Sequence, residues 1–267
     1  MNLNNKGTRL LKNISMSLWL SLQKPRWEEY ENIVKHAVKN GYTVTSLFDW
    51  YMNYRSVPDQ KVLIMRHDID YSISGASKMF KIERKIGVNS TFYFRWLTVN
   101  KKLIEEISKY GSEVGLHYET LATYAIKKGI KKKNDFTECD YLSCVEELKK
   151  EIINFNILFG KTYTAASHGE PINRKLGLPN NILVKDSEIQ EFGLLAEAYS
   201  KDILNSVDIY ISDASAKNGL WRYGVSPIEA VDKQMQVILL LTHPIHWEYN
   251  IFEQIRIWVK EYIGRQF

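Results

Sequence analysis

Two cysteines in 267 residues, Cys139 and Cys144, give too few thiols for a disulfide framework or a thiolate metal centre and point to a reducing compartment. Six prolines and 14 glycines exclude collagen-like and low-complexity chains, and 45% hydrophobic residues are enough to build a core. Long apolar runs are missing. The longest early one, residues 14–22, is broken by Ser15, Ser17 and Ser21 and falls short of the roughly 18 residues that cross a bilayer. Lys6, Arg9 and Lys12 precede it as in a secretory signal, but Gln23-Lys24-Pro25-Arg26 stands where a small-residue cleavage site belongs. The expectation is a cytoplasmic chain with no transmembrane segment, at the inner face of the membrane if its apolar N-terminus makes peripheral contact there. Charge of one sign is also scarce: 36 Lys and Arg against 31 Asp and Glu leave +5, too little for a dedicated nucleic-acid binder, and no nucleic-acid motif accompanies it.

What is present is alternation. Trp27, Tyr30, Ile33, Val34, Ala37 and Val38 recur at helical spacing, so residues 26–40 read as an amphipathic helix stopped by Gly41, with His36 beside its apolar face in a structural role. Residues 61–66 (KVLIMR) form a continuous apolar run, the mark of a strand covered on both faces. Further strands are expected at 90–96, 113–117, 163–168, 208–213 and 236–243, with a minor one at 182–184. Helices are expected at 74–86, 101–110, 138–158 and 247–264; the lysine run KKGIKKK over 127–133 reads as a solvated loop or helix end. With no Pro-, Gly- or Ser-rich linker and no repeat, one structural domain follows: residues 1–60 as a helical segment packing on a body of residues 61–267. Six or more strand–helix units in one run favour a (β/α) barrel, complete or not, and no glycine-rich phosphate loop follows the first strand.

Ionisable side chains fall at the strand ends: His67, Asp68 and Asp70 after the first strand, His117 after another, then His168, Asp213 and His243. In a parallel barrel those ends converge on one mouth, where such barrels keep their chemistry. Asp68 and Asp70 share one face of their strand, with Ile69 on the other, so two carboxylates beside imidazoles can divide labour: one ligates a divalent ion and the other stays free as a general base. His117 is a natural metal ligand, with His168 or His243 as a second. Pro244 fixes the chain as it leaves His243. His246 and Trp247 read as wall or surface. Asp213 orients an imidazole or binds substrate, and Trp221 is either a flat wall for a sugar ring or core.

These residues resemble the NodB-type polysaccharide deacetylases, carbohydrate esterase family 4, in the divergent branch with an R-H-D-[VI]-D motif. Arg66-His67-Asp68-Ile69-Asp70 is similar to the family's first motif, and Glu113-Val114-Gly115-Leu116-His117 to its second. Asp213 with Trp221 resembles the fourth motif, and Leu241-Thr242-His243 the fifth; the resemblance spans about residues 61–247. It implies an α/β fold, a distorted barrel often short of eight units. It implies Asp68 as catalytic base, His243 as catalytic acid, Asp213 as the group that orients them, and Asp70 and His117 as ligands of Zn²⁺ or another divalent ion such as Co²⁺ or Mn²⁺. Leu241 would form the acyl pocket, and Trp221 would line the substrate cleft. One departure stands out: the family's second metal histidine, four residues after the first, is here Leu121. His168 is the expected replacement, with His67 in reserve.

The implied reaction is metal-dependent hydrolytic deacylation, N-deacetylation by default, of an amino sugar in polysaccharide or glycoconjugate biosynthesis. A cytoplasmic enzyme would meet nucleotide- or lipid-linked sugars, for whose phosphates Arg95, Arg222 and the lysine run offer positive charge. The rival is a metal-free, inactive NodB-like glycan-binding protein, motivated by Leu121.

Overall fold

A computed structural model describes residues 24–213, 221–222 and 224–248. Helix α1 (Trp27–Lys39) is followed by strand β1 (Thr43–Thr45), then by a helical stretch, Leu47–Asp49 running into Trp50–Tyr54, and by β2 (Val62–Ile69). The chain continues through α2 (Ile73–Ile86), β3 (Thr91–Phe94), α3 (Lys101–Tyr110) and β4 (Glu113–Tyr118). Two helices, α4 (Thr120–Lys128) and α5 (Glu138–Phe159), then lead to β5 (Thr164–Ser167) and α6 (Pro171–Leu176). Last come β6 (Ala196–Glu197), β7 (Ile209–Ser212), α7 (Pro227–Asp232), β8 (Val237–Thr242) and α8 (Ile245–Glu248).

Every strand pairing is parallel, in the order β6-β5-β4-β3-β2-β8-β7, and β1 takes the early part of the β2 edge that β3 takes later. Among the described residues no pairing joins β6 to β7, so the curled sheet is an incomplete (β/α) barrel. Local signals set the helix ends. Ser72 caps α2 by accepting from the Gly75 amide at 2.9 Å, and Gly87 closes it in the left-handed region at φ 89°. Thr137 and Asp140 form a capping box at the start of α5.

Period-two alternation sorts side chains between two cores. Leu63, Met65 and Ile69 of β2 point outward into the layer beneath the helices, whereas Val62 and Ile64 point into the barrel with Leu47, Trp50, Tyr93, Ala166 and Leu239. Arg66 and Asp68 continue the inward face and His67 the outward one. All eight residues of β2 are buried, which explains its unbroken apolar run. On β4, Val114, Leu116 and Tyr118 face the helices. Gly115 faces inward, where an added Cβ would lie 2.6 Å from the Thr164 carbonyl oxygen and 2.7 Å from the Tyr93 ring. Gly115→Ala is therefore expected to cost about 1–3 kcal/mol by overpacking, read as a lower midpoint in urea unfolding.

Several sequence expectations need correction. Residues 182–184 are not a strand: Asn180–Leu183 form a 3₁₀ turn behind Pro179, pinned because the Asn180 amide bonds the His168 carbonyl and its oxygen accepts from the Ala122 amide at 3.0 Å. Periodicity gave no warning of β1, β6 or α4, which are short or adjoin other elements. The lysine run begins at the end of α4 and passes into an exposed turn; Lys128 pairs with Asp140. His36 is half-buried, its Nε2 2.7 Å from Asp232. The apolar segment 14–22 and residues 249–264 of the expected last helix lie outside the described residues.

Candidate metal centre

Three donors from three strand ends meet at the mouth: Asp70 just past β2, His117 on β4 and His168 just past β5, with ligand atoms within 4.8 Å of one another. His117 Nε2 lies 3.1 Å and His168 Nε2 3.4 Å from Asp70 Oδ1. Tetrahedral ligands about 2.0–2.1 Å from a Zn²⁺ ion are separated by about 3.3 Å, so these edges have the right length. Apart from these two imidazole nitrogens Asp70 Oδ1 is buried and unpartnered, as a carboxylate oxygen facing a shared cation would be. Both imidazoles are oriented from behind. His117 Nδ1 lies 3.0 Å from the Ala166 carbonyl oxygen, and His168 Nδ1 lies 3.3 Å from Glu170 and 3.5 Å from Glu119. Such outer partners fix which nitrogen faces the ion. The residues fit a divalent cation.

Electrostatics agree. Burial works against the charge on Asp70, but His168 and His117 outweigh it and hold the carboxyl well below its usual range. Burial likewise opposes a charged His168, yet Asp70, Glu119 and Glu170 carry its pKa well above the ordinary value. The cluster is thus a negative pocket that holds a proton where no ion competes.

Asp68 lies beside this cluster, its Oδ2 3.6 Å from His117 Nε2. That same Oδ2 accepts from Arg66 Nη2 at 2.9 Å and from the Tyr199 hydroxyl at 3.2 Å, while Oδ1 is buried and unpartnered. The Arg66 guanidinium stacks on Tyr199 at 4.1 Å and donates to the Ala198 carbonyl at 3.1 Å. Burial would raise the Asp68 pKa, but Arg66, His117 and His243 keep it below the usual carboxylate value. Across the mouth, His243 Nδ1 sits 2.6 Å from Asp213 Oδ1, which leaves Nε2 facing Asp70 Oδ2 at 4.0 Å. Asp213 Oδ2 accepts from the His243 amide at 2.8 Å and from Trp247 Nε1 at 2.9 Å. Burial alone would lower the His243 pKa, but Asp213 raises it to about 9.

Not every expected site residue joins the cluster. His67 points to the helix side, with Nδ1 2.6 Å from Thr242 Oγ1 and Nε2 2.7 Å from Glu83, and the strand pleat prevents it from reaching Asp70. Arg95 is 5% exposed and spanned by Glu119 and Glu170, the latter at 2.7 Å, so its charge is matched and braces the carboxylates behind His168. Trp247 is core and holds Asp213; half-buried Trp221 packs on it at 5.9 Å. His246, 40% exposed, has Nδ1 3.4 Å from Asp213. Leu241 and Arg222 line a cavity of about 290 Å³ beside His243, together with Tyr199, Leu204, Tyr210 and Ser212. Leu121 is fully buried among the apolar side chains around α4. Sequence reasoning missed Tyr199, Glu119 and Glu170, and gave Arg66 no role, although Arg66 stands two residues before Asp68 on the same face.

No protein-family model matches this chain, and no curated protein matches it. Among solved structures it is similar to a mutant of a CE4 family pseudoenzyme with restored enzymatic activity, at 14% identity and a TM-score of 0.45 over 77% of this chain and 65% of that one. The wild-type CE4 family pseudoenzyme from Bacillus anthracis gives 14% identity and a TM-score of 0.41, over 77% of this chain and 63% of that one. The peptidoglycan deacetylase PdaC from Bacillus subtilis gives 12% identity and a TM-score of 0.30, over 79% of this chain and 99% of that one. The chain thus spans a little under two thirds of the length of the first of these relatives.

Proposed function

We propose that this protein is a metal-dependent deacylase that hydrolyses the N-acyl group, by default N-acetyl, of an amino sugar. The observation that carries the reading is the convergence of Asp70, His117 and His168 beside an unpartnered oxygen of Asp68 and opposite the Asp213-held His243. Asp70, His117 and His168 would hold a divalent ion such as Zn²⁺, Co²⁺ or Mn²⁺. When bound, it supplies positive charge that polarises an acyl carbonyl and makes a water easier to deprotonate.

The chain's own groups do the rest. Asp68 is ionised and offers Oδ1 to take a proton from the attacking water, while Arg66 and Tyr199 hold Oδ2 and so fix the carboxylate plane. His243, protonated up to about pH 9, donates from Nε2 to the departing amine as the C–N bond breaks. Asp213 holds the His243 ring with its second nitrogen facing the cleft and stabilises its charge. Leu241 forms the apolar floor for a small acyl group beside His243. Arg222 borders the same cavity and would contact the sugar, and Trp221, packed on Trp247, would line the cleft beyond it. A place in polysaccharide or glycoconjugate biosynthesis, and a cytoplasmic location at the inner membrane face, belong to the same reading.

The test is reconstitution. Chelator-stripped protein is expected to release no acetate from N-acetylglucosamine oligomers or UDP-N-acetylglucosamine, and one equivalent of Zn²⁺, Co²⁺ or Mn²⁺ to restore release. A protein that takes up no ion, yet binds these sugars, would instead be a glycan-binding relative of the deacetylases.

A further inference from the structure

We propose that Arg174 recognises a phosphate group on the substrate, so that the preferred acyl amino sugar is a phosphorylated or carrier-linked one and not a neutral glycan; this rests on the deacylase reading. A cavity of about 610 Å³ opens beside His168, with Arg174 among its lining residues. It shares Tyr199 and Leu204 with the 290 Å³ cavity next to His243, so the two cavities adjoin, one beside His168 and the other beside His243. Cavities of this size fall in the range of small-molecule sites.

Charge separates the candidate substrates. Glu170, the carboxylate lining the larger cavity, already faces Arg95 at 2.7 Å and His168 at 3.3 Å. Arg174 is exposed, and among the described residues its guanidinium has no hydrogen bond or ion pair. An arginine fork left unmatched in a cleft whose carboxylate is already paired with Arg95 gains most from a phosphate, which it can bind through two parallel hydrogen bonds. A neutral glycan leaves that capacity unused. Arg174 also takes over the role that sequence reasoning gave to Arg95, which is buried and matched, and to the lysine run, none of whose members lines either cavity.

The experiment compares the Zn²⁺-loaded wild-type chain with Arg174→Glu and Arg174→Lys, with metal content and circular dichroism as checks on folding. The probes are UDP-N-acetylglucosamine, N-acetylglucosamine 1-phosphate and the neutral N-acetylglucosamine trimer. Calorimetric titration gives Kd, and acetate release gives turnover. Arg174→Glu is expected to lower the ratio of phosphorylated to neutral affinity by about tenfold or more, and Arg174→Lys by less, because it keeps the charge and loses the fork. Equal losses for both phosphorylated probes assign recognition to a sugar-linked phosphate, as on a lipid carrier; a loss for the UDP sugar alone assigns it to the nucleotide's second phosphate. A ratio unchanged within twofold, or no binding of either phosphorylated probe, overturns the proposal. Arg174-dependent binding without acyl release would leave the recognition standing and remove the deacylase reading, whereas acyl release indifferent to Arg174 would do the reverse.

Discussion

Replacing Asp70 with alanine is expected to leave a folded chain that no longer retains a divalent ion and has lost about 10³-fold or more in kcat/KM. Among the described residues Asp70 is the carboxylate that faces both His117 and His168 at ion-compatible separations, and its removal takes away the anionic donor the two imidazoles share. Metal content by plasma emission spectroscopy, measured alongside acyl release, checks the result. His168→Ala should do the same and His67→Ala should not, since His67 bonds Thr242 and Glu83 on the far side of β2. Because His168 holds its proton well above the ordinary histidine range, metal uptake should release protons and weaken as the pH falls. A His168→Ala protein that keeps a stoichiometric ion and full activity would remove this residue from the centre.

The second large effect separates catalysis from metal binding. Asp68→Asn and His243→Ala are each expected to lower kcat by about 10²–10⁴-fold while metal content stays intact. Asp68→Asn leaves the buried Arg66 guanidinium without its counter-charge, so stability should fall too, by about 3–5 kcal/mol, and urea unfolding must accompany the kinetics. The His243 assignment also predicts a pH profile. Its pKa is raised to about 9, so the proton-donating form dominates below that value and the rate falls as the pH rises through it. Asp213→Asn removes the carboxylate that raises the pKa while burial remains, so the alkaline limb should move to lower pH. By the same sign, the Asp213–His243 pair contributes stability that is complete below about pH 6.5, the unfolded value, and is lost as the pH climbs through about 9. An alkaline limb unmoved by Asp213→Asn would reassign the proton donor.

The strand–helix rhythm was legible because β2 and β8 are covered on both faces and so read as continuous apolar runs, while glycines such as Gly87 and Gly111 mark helix ends. The shared face of Asp68 and Asp70 followed from strand pleating alone. Elements of two or three residues, such as β6 and β1, carry too little periodicity to be seen.

The sequence by itself thus determined a parallel α/β architecture with carboxylates and imidazoles at the strand ends, since both depend on spacing within one segment. Only the tertiary structure decided which of them meet. That His168 and not His67 completes the trio depends on β4 lying beside β5, and on His67 falling on the outward side of β2. Tyr199 reaches Asp68 from 131 positions away and Trp247 reaches Asp213 from 34, separations that no local pattern encodes. Arg95 and Arg174 look alike in the sequence. The fold buries the first between two carboxylates and leaves the second facing the cleft, because a cation's role is set by the charges packed around it.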